Sequence, residues 1–343
     1  MKNKGKVFII AEAGVNHNGD RKIAKKLIDA AVAAGADAVK FQSFTAEKLV
    51  TQKASKAEYQ VKNTGAEETQ LAMLKKLEFS AADFKELFIY CQKNKIIFMS
   101  TPFDEANVGT LDKFGMTIFK VPSGEITNKS LLQTVARTKK PILLSTGMSY
   151  LGEIEKAINW IREAAGSKLD LTLLHCTSCY PVEPEDVNLR AMFTMREVFG
   201  VPVGYSDHTQ GIDVSLAAVA LGAAVIEKHF TLDKKMPGPD HKASLEPQEL
   251  KQLVRSIRRI EQAMGNGQKI PRPSEINIRQ NIRRSLVSSR PIKAGEIVSA
   301  NDFIFKRPGT GIPPEEQALV NGLRVKRSIA VDTVVTWKDF KDA

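Results

Sequence analysis

Eight short apolar runs, separated by amphipathic stretches of helical period, constrain the fold of this chain more than any other feature. Strands that alternate with helical stretches are typical of βα units and a parallel sheet. Eight such units predict an α/β fold in which the sheet closes into a (β/α)8 barrel, a TIM barrel. The alternative is an open doubly wound sheet, but its glycine fingerprint G-x-G-x-x-G does not follow the first run. The runs are VFIIAE (7–12), AVKFQ (38–42), IIFMS (96–100), IFKV (118–121), ILLS (142–145), LTLLH (171–175), VGYS (203–206) and AVIEKH (224–229).

The character of the sequence changes after the eighth run. A helical pattern over residues 247–264 is expected to complete the barrel, and the next stretch, GNGQKIPRPSE, has the Gly, Pro and polar residues of a linker. From Arg284 the chain has short β-like runs and turns. We therefore predict a catalytic barrel over residues 1–265, a linker over 266–283 and a small β-rich domain over 284–343.

The charge and the N-terminal segment argue against several classes of protein. The formal net charge is +11, but Lys and Arg are interspersed with acidic residues, so we expect no nucleic-acid partner. The first residues lack a cleavage pattern and an apolar span of about twenty residues, so we expect no membrane segment and a cytoplasmic location. Three cysteines form no disulfide framework, which agrees with a reducing compartment. A positive field would still help to recruit a small anionic substrate.

Nearly every apolar run ends in a polar group. In TIM barrels the catalytic residues lie at the carboxyl ends of the strands, whereas the opposite face serves stability. One such residue could be a satisfied polar group of the core, but eight sets in phase are hard to explain by packing. We therefore predict one active site at that end of the barrel. In chain order the groups are Glu12, Asn16 and His17; Lys40 and Gln42; Ser100 and Thr101; Lys120, Ser123 and Glu125; Ser145 and Thr146; His175 and Thr177; Ser206, Asp207 and His208; and Glu227 and His229.

Two lysines, Lys40 and Lys120, end apolar strands, where a buried ammonium group needs an anionic partner. That partner could be internal, in an ion pair with Glu12 or Glu125. It could instead be a bound phosphate and carboxylate, assisted by hydroxyl groups. We favour the second interpretation, with a small substrate that carries two or three negative charges. The hydroxyl groups would come from Thr101, Ser123, Ser145 and Ser206.

Two histidines, His208 and His229, end consecutive strands, which are neighbours in a barrel. A lone histidine would more often be structural. Two imidazoles so placed can share one divalent metal ion, with Glu12 acting directly or through water. Because the remaining ligands would be oxygen atoms, the set favours Mn²⁺ or Mg²⁺ over a closed structural zinc site.

The segment Cys-Thr-Ser-Cys, from Cys176 to Cys179, formally matches a redox CxxC motif. Such a pair normally opens a helix of a thioredoxin-like unit, and no second CxxC is present to complete a zinc site. We therefore interpret the segment as a loop with two small residues.

A series of short motifs extends over essentially the whole chain. In order they are IIAEAGVNHNGD, VKFQSF, STPFD, KVPSGEITN, LSTGM, HCTSCYP, VGYSDHT, IEKHFTLD and GPDHKASLEP. Together they resemble the sialic acid synthase family, which includes the N-acetylneuraminate, legionaminate and pseudaminate synthases. From Arg284 through KRPGTGI to its end, the chain is similar to the antifreeze-like (SAF) domain that follows the barrel in that family. Each motif alone would be unspecific, but the combination is highly specific.

The resemblance implies a condensation of phosphoenolpyruvate with an N-acylated amino sugar and water, which gives a nine-carbon 2-keto acid and phosphate. The acceptor would be N-acetylmannosamine or 2,4-diacetamido-2,4,6-trideoxymannose, and the product N-acetylneuraminate or N,N'-diacetyllegionaminate. The motifs PSGEITN, GYSDHT and GPDHKASLEP slightly favour the legionaminate type. We expect the loop 45–70 to select the sugar, through Asn63 or Gln70.

The resemblance also implies roles for individual residues. Glu12 matches the acidic residue beside the metal's water, and His208 and His229 match the metal ligands. Arg307 matches an arginine that the small domain extends into the partner subunit's barrel to contact the N-acyl group, which implies a domain-swapped homodimer. Ser178 stands where some members have Asn, which leaves one phosphoenolpyruvate or sugar contact open. The phosphoenolpyruvate positions are Lys40, Thr101, Lys120, Ser123, Ser145 and Ser206, and the sugar positions are Gln42, Glu125, Tyr180 and Asp240.

The expected chemistry is attack by C3 of phosphoenolpyruvate on the open-chain aldehyde of the sugar, which a metal ion could polarise. Water would then add to C2, steered by Glu12, while Lys40 and Lys120 balance the charge of phosphate and carboxylate. A rival enzyme is a Schiff-base aldolase, in which Lys120 or Lys40 would attack a pyruvate carbonyl. A binding or structural protein is the other alternative, prompted by the antifreeze-like tail, but the ordered polar strand ends argue against it.

Overall fold

The strands of the first part of the chain coincide with the apolar runs of the sequence. They are β1 (Phe8–Gly14), β2 (Ala38–Ser43), β3 (Ile97–Pro102), β4 (Phe119–Val121), β5 (Ile142–Ser145), β6 (Leu171–His175), β7 (Val203–Asp207) and β8 (Val225–His229). The structure is a computed structural model that describes residues 6–65 and 67–341. The strands are parallel in the order β3–β2–β1–β8–β7–β6–β5–β4, and β3 also contacts β4, so the sheet closes on itself. The predicted TIM barrel is confirmed.

Helix α1 (Arg21–Ala34) illustrates how the sequence sets the ends of the surrounding helices. Asp20 accepts a hydrogen bond from the backbone nitrogen of Lys22 at 2.6 Å, and Gly35 ends the helix with a left-handed φ of 80°. Within the described residues no helix combines the length and the apolar character that crossing a membrane requires. The other helices are α2 (Ala46–Leu49), α3 (Glu58–Thr64), α4 (Gln70–Leu77), α5 (Ala81–Lys93), α6 (Glu105–Phe114), α7 (Lys129–Arg137), α8 (Leu151–Ala165), α9 (Ala191–Phe199), α10 (Asp213–Ala220), α11 (Pro247–Met264) and α12 (Pro273–Ile282).

Helix α11 completes the outer layer of the barrel, where it packs against α1 and α10. Arg258 of α11 donates from Nη1 to the carbonyl of Val7 at 2.8 Å and from Nη2 to Asp37 Oδ2 at 2.6 Å. Asp37 also accepts a hydrogen bond from the backbone nitrogen of Ile9 at 2.9 Å. These contacts tie together the starts of β1 and β2, at the end of the barrel that serves stability.

The chain divides into a first unit that ends at Gly265 and a second that begins at Asn266. The second unit contains the antiparallel strands β9 (Ser285–Ser288) and β10 (Phe303–Lys306). It also has a hydrophobic core of its own, which includes Phe340. An independent core is what a folded domain requires, although a core this small supports only modest stability.

The stretch 266–283, interpreted from its composition as a linker, contains helix α12 and belongs to the second unit. Pro273 occupies the first turn of this helix, and the carboxylate of Glu275 accepts a hydrogen bond from the backbone nitrogen of Arg272 at 2.8 Å. Proline in the first turn and an acidic residue that returns to the N-cap both favour a helix start. The Pro and Gly residues that suggested a linker therefore include a proline that marks the start of helix α12.

Gly204 in β7 lies where the barrel interior leaves no room for a side chain. A Cβ atom added there would lie 2.6 Å from Val225 O and 2.8 Å from Leu174 Cδ2. Gly204→Ala is therefore expected to lower the free energy of unfolding by about 1–3 kcal/mol in urea denaturation. Gly109→Ala in α6 is the matched control, since an added Cβ there meets no atom within 4 Å. It should raise the free energy of unfolding by about 0.5–1 kcal/mol, and equal effects of the two substitutions would contradict this interpretation.

Candidate active site

An apolar layer and a polar layer follow one another inside the barrel. The apolar layer consists of Ile10, Ala38, Met99, Ile118, Leu143, Leu174 and Val225. Because successive side chains of a strand point to opposite faces, the residue two positions later also faces inward. The polar layer is then Glu12, Lys40, Thr101, Lys120, Ser145, Cys176 and Glu227, and Ser206 joins it two positions after Gly204. All eight residues line one cavity of about 270 Å³. The strand geometry thus brings together chemical groups that are far apart in the sequence.

Both lysines of this cavity, Lys40 and Lys120, are engaged in buried ion pairs. Lys40 Nζ lies 2.6 Å from Glu12 Oε2 and 3.6 Å from Glu227 Oε2. Lys120 Nζ lies 3.2 Å from Glu227 Oε1. The internal partners considered from the sequence are therefore present for Lys40, whereas Lys120 pairs with Glu227 and not with Glu125. All four charged groups line the cavity, so a bound anion could contact the lysines there.

The two carboxyl groups of this network differ in their proton affinity. Burial raises the pKa of Glu12 to about 7, against the opposing effect of Lys40, and the neighbouring Glu227 raises it further. Burial also acts to raise the pKa of Glu227, but the ammonium groups of Lys120 and Lys40 outweigh it and hold this pKa at about 2. Near neutral pH Glu227 is therefore a fixed negative charge, while Glu12 can take up or release a proton.

The four hydroxyl groups predicted to assist the lysines also line the cavity. Thr101 Oγ1 accepts a hydrogen bond from Lys40 at 3.0 Å, and Ser206 donates to Glu227 Oε1 at 2.9 Å. Ser145 Oγ is buried and has no hydrogen-bond partner among the described residues. Because an unpaired buried hydroxyl group is costly, Ser145 is well suited to bind a polar ligand.

Ser123 occupies a crowded position at the same edge of the cavity. Its Oγ accepts a hydrogen bond from the backbone nitrogen of Gly147 at 2.9 Å and lies 3.1 Å from Cys176 Sγ. A Cβ atom on Gly147 would lie 2.8 Å from Ser123 Oγ and 2.5 Å from Ser178 Oγ. Glycine at 147 is therefore what allows the backbone to approach these side chains closely.

His208 and His229, the imidazole pair, lie side by side with ring centroids 5.6 Å apart. His208 Nδ1 lies 2.7 Å from the carbonyl oxygen of Thr177, which can only accept, so Nδ1 carries the proton and Nε2 keeps its lone pair. His229 Nδ1 is buried, has no hydrogen-bond partner among the described residues, and lies 4.0 Å from Asp240 Oδ2. Burial lowers the pKa of His208 to about 4 and that of His229 well below its ordinary value.

These features fit a divalent metal ion that the imidazole pair would hold. Metal ligands must be unprotonated, and the lowered pKa values keep both rings neutral at neutral pH. In the described residues no group of three or more His, Cys, Asp or Glu side chains is arranged to hold a metal. The pair would therefore supply two ligands, and oxygen atoms of water or substrate would have to complete the coordination.

Of the residues expected to hold the sugar, Gln42, Tyr180 and Asp240 line the cavity. Gln42 Nε2 donates to Glu12 Oε1 at 3.1 Å, and the Tyr180 ring lies 4.1 Å from that of His208, centroid to centroid. Burial raises the pKa of Asp240 to about 6. Tyr180 and Asp240 therefore lie beside the imidazole pair, and Gln42 lies beside Glu12.

The other two expected sugar residues lie elsewhere. Glu125 is absent from the lining formed by the described residues, and its carboxylate accepts a hydrogen bond from Asn128 Nδ2 at 2.8 Å. Arg307 belongs to the second unit, where its side chain is exposed. The roles implied for these two residues stay predictions.

Two members of the polar layer were not assigned a role from the sequence. Glu227 was noted at a strand end, and Cys176 was interpreted as part of a loop, but both line the cavity. The signal that identifies them is their position two residues after Val225 and Leu174 of the apolar layer. Cys176 is buried while Cys179 is exposed, and both are free thiols.

The loop 45–70 reaches the cavity through residues other than those expected. Asn63 donates to the carbonyl of Pro239 at 2.6 Å, and Gln70 donates to Gln60 at 3.4 Å. In the described part of the chain neither lines the cavity, whereas Tyr59 and Gln60 do. Asn63 and Gln70 therefore hold the loop, while Tyr59 and Gln60 face the cavity.

One side of the cavity is apolar, in contrast to its polar floor. This apolar wall consists of Val15, Met73, Leu74, Leu77 and Phe103. The same residues belong to a small hydrophobic cluster formed by α4 and the loops after β1 and β3. A ligand in this cavity would therefore place charged groups at the strand ends and apolar groups against α4.

Comparison with protein families and solved structures extends the likeness over most of the chain. The NeuB family model matches residues 27–269, and the SAF domain model matches residues 283–341. The crystal structure of an N-acetylneuraminic acid (sialic acid) synthetase from Leptospira borgpetersenii matches with a TM-score of 0.71 and 38% identity. That match covers 80% of this chain and 90% of the other.

Curated relatives are similar at a higher level of identity. The chain is 54% identical to the N,N'-diacetyllegionaminic acid synthase of Campylobacter jejuni, over 90% of its own length and 92% of that protein. It is 49% identical to the N,N'-diacetyllegionaminic acid synthase of Legionella pneumophila, over 97% and 94% of the two lengths. The likeness inferred from the motifs is thus confirmed, and the chain belongs to the NeuB family of nonulosonic acid synthases.

Proposed function

We propose that this nonulosonic acid synthase condenses phosphoenolpyruvate with 2,4-diacetamido-2,4,6-trideoxymannose and water, giving N,N'-diacetyllegionaminate and phosphate. The observation that carries the proposal is the single cavity in which two lysines, the imidazole pair and the apolar wall meet. The names of the two relatives from Campylobacter jejuni and Legionella pneumophila support this choice of acceptor. The arrangement separates an anion-binding floor from a wall that favours a deoxygenated, acylated sugar.

Phosphoenolpyruvate fits the floor of the cavity, where Lys40 and Lys120 lie among four hydroxyl groups. Its phosphate and carboxylate would replace Glu12 and Glu227 as the nearest partners of the ammonium groups. Charge-assisted hydrogen bonds of this kind are among the stronger polar contacts in proteins. Ser145, whose hydroxyl group has no partner among the described residues, would gain one.

The charge balance of the cavity supports a divalent cation. The described lining has two lysines but three carboxyl groups, those of Glu12, Glu227 and Asp240. The lysines alone would therefore not neutralise a substrate that brings a phosphate and a carboxylate. We propose that Mn²⁺ or Mg²⁺ binds at the imidazole pair, with Glu12 close enough to interact through water. When bound, such an ion would supply Lewis-acid polarisation of the sugar aldehyde.

The remaining chemistry can be assigned to side chains of this protein. The electrons of the C2–C3 double bond form the new bond from C3 to the aldehyde carbon, and the aldehyde oxygen becomes an alkoxide that takes up the proton released by the attacking water. The positive charge that develops at C2 is met by water, whose proton Glu12 can accept because its pKa is about 7. Cleavage of the bond between C2 and the phosphate oxygen then leaves the 2-keto group. The proton of the C2 hydroxyl group leaves with the phosphate, which Lys40 and Lys120 stabilise.

The apolar wall supports a 6-deoxy acceptor. Val15, Leu74 and Leu77 offer no hydrogen-bonding side chain to a sugar hydroxyl group that points at them. An unpaired hydroxyl group beside such a surface costs about 1–3 kcal/mol, whereas a methyl group gains from burial. The acceptor with a C6 methyl group should therefore be used more efficiently than one with a C6 hydroxyl group.

Mass spectrometry of the products tests the proposed acceptor. The enzyme is incubated with phosphoenolpyruvate and either sugar, and phosphate release is measured in parallel. We expect kcat/KM for 2,4-diacetamido-2,4,6-trideoxymannose to exceed that for N-acetylmannosamine by about tenfold or more. A preference for N-acetylmannosamine would overturn the proposed acceptor but leave the condensation intact. Failure to release phosphate with either sugar would contradict the condensation itself.

A Schiff-base mechanism is less consistent with the site, because a lysine nucleophile must be uncharged. Burial acts to lower the pKa of Lys40, but Glu12 and Glu227 outweigh it and raise this pKa above its ordinary value. Borohydride reduction in the presence of pyruvate is therefore expected to give no covalent adduct by protein mass spectrometry. An adduct on Lys40 or Lys120 would favour the aldolase.

The protonation of Glu12 is expected to govern the acid side of the pH profile. A carboxylate accepts a proton only when ionised, so kcat/KM should fall as the pH drops through about 7. In Glu12→Gln this step should disappear, and kcat should fall by about 10²- to 10⁴-fold. A step near pH 6 from Asp240 can remain. An unchanged step near pH 7 in the variant would assign it to another group.

We further propose that the protein acts as a domain-swapped homodimer in which Arg307 contacts the substrate in the partner subunit's cavity. Hybrid dimers of Lys120→Met and Arg307→Ala chains test this arrangement. In a swapped hybrid one site carries both defects and the other carries none. Random mixing should therefore restore roughly a quarter of the wild-type activity, because half of the dimers are hybrids. No recovery in a hybrid confirmed by native mass spectrometry would exclude the swap.

A further inference from the structure

A buried ion pair lies directly behind the imidazole pair. Asp207 and Lys228 are register partners, the last paired residues of β7 and β8, and each immediately precedes one of the two histidines. Their side chains are 0% and 1% exposed, and Lys228 Nζ lies 2.9 Å from Asp207 Oδ2. Since Ser206 and Glu227 line the cavity, the alternation of the strands points Asp207 and Lys228 to the outer face of the barrel.

The ion pair also fixes the backbone on both sides of His208. Lys228 Nζ donates to the carbonyl oxygen of Thr209 at 2.5 Å, while Asp207 Oδ1 accepts from Thr209 N at 2.8 Å and from its hydroxyl group at 2.7 Å. Asp207 Oδ2 accepts a third hydrogen bond from Ser215 of α10 at 2.5 Å. The residues before and after His208 are thereby tied to the residue before His229.

The imidazoles pack against the ring of Tyr180, but few hydrogen bonds orient them. His208 contacts the carbonyl of Thr177, and His229 Nδ1 has no hydrogen-bond partner among the described residues. Metal-binding histidines usually donate their second ring nitrogen to a carboxylate or carbonyl, which orients the ring. Where that hydrogen bond is missing, as for His229, packing and the position of the backbone must orient the ring.

Stability alone does not account for this ion pair. Removing two charges from water is costly, and replacing a buried ion pair with apolar residues of similar volume is often neutral or stabilising. The best supported use of such pairs is to fix one arrangement of neighbouring elements. Asp207 and Lys228 are the last register partners of β7 and β8, so their ion pair can fix the arrangement of these two strand ends.

We infer that the Asp207–Lys228 ion pair is a positioning element that sets the separation and orientation of the imidazole pair for one divalent cation. The inference rests on the proposed function, because it takes the cation site as given. It concerns residues that face away from the cavity and touch no substrate. Their loss should weaken cation binding more than it weakens the fold.

The test uses the full-length chain and Mn²⁺ alone, with electron paramagnetic resonance to count the free ion. Asp207→Asn/Lys228→Met removes both charges with little change of volume. Its Mn²⁺ dissociation constant should rise about tenfold or more, whereas its melting temperature without metal should stay close to that of the wild type. Asp207→Asn/Lys228→Gln also leaves no unpaired buried charge and keeps a polar group at both positions, so it provides the same measurement if the first variant fails to fold.

Asp37→Asn/Arg258→Met is the matched control, since this ion pair lies at the opposite end of the barrel with a separation of 2.6 Å. It should leave Mn²⁺ binding unchanged, because it lies far from the imidazole pair. If the Mn²⁺ dissociation constants of both Asp207 variants were within about twofold of the wild-type value, the positioning role would be overturned. A wild-type protein that binds no Mn²⁺ would overturn the proposed cation site and this inference with it. The two failures differ in whether the wild type binds the ion.

Discussion

Lys120→Met is expected to lower kcat/KM for phosphoenolpyruvate by about 10²- to 10³-fold, because truncating one member of a buried charge pair costs about 2–5 kcal/mol. Lys120 Nζ lies 3.2 Å from Glu227 Oε1, and both side chains are 5% exposed. In the variant the carboxylate of Glu227 would face an incoming dianion or trianion with only Lys40 near it. Repulsion then adds to the loss of the direct contact.

A second substitution separates binding of the substrate from stability of the fold. Lys120→Met/Glu227→Gln removes the unpaired carboxylate and should recover most of the stability, but little of kcat/KM, because the phosphate still lacks its partner. Lys75→Met is the control, since Lys75 forms an exposed pair with Glu47 and should leave both quantities unchanged. Full turnover by Lys120→Met would show that Lys120 has a structural role and does not bind the substrate.

The barrel could be predicted from the sequence because its signal is local. Each strand is a short apolar run, and the polar group at its end marks the carboxyl edge, as at Ser145 in β5 and His229 in β8. The residues of each strand that face the barrel interior could also be predicted, because residues two positions apart, such as Ile10 and Glu12, share a face. A period-two count from the apolar layer would have placed Glu227 and Cys176 in the cavity.

The partners of the charged groups could not be predicted in the same way. Lys120 lies in β4 and Glu227 in β8, on opposite sides of the ring, and their contact depends on how the side chains cross the barrel interior. From the sequence Glu125 was an equal candidate, because it is near Lys120. It turns instead toward Asn128 at the start of α7.

The loop after β2 was the least predictable part of the site. Its polar residues Asn63 and Gln70 were expected to choose the sugar, but both are engaged in holding the loop. The cavity is lined instead by Tyr59 and by apolar residues of α4 such as Leu74. Which face of a short helix meets a cavity depends on where the loop is anchored, here through Pro239 of the β8 loop.

Substitution of His229 is expected to have an effect at least as large as that of Lys120. A divalent ion that polarises a carbonyl oxygen contributes several kcal/mol, so His229→Gln should lower kcat/KM by about 10³-fold. The imidazole pair would supply only two protein ligands, so the loss of one should weaken binding of the ion strongly. Gln keeps the volume and polarity of the side chain, so the fold should be preserved.

Chelation links this loss to the ion. The wild type should lose activity when treated with a chelator and regain it with Mn²⁺ or Mg²⁺, whereas His229→Gln should regain none at the same concentrations. His175→Gln is the matched control, because His175 is also partly buried but contacts the carbonyl of Val187 at 2.7 Å, away from the cavity lining. It should respond to metal as the wild type does. Recovery of His229→Gln to within about threefold of the wild type would mean that activity does not depend on an ion held by this pair, and the lysines and Glu12 would then have to supply the polarisation.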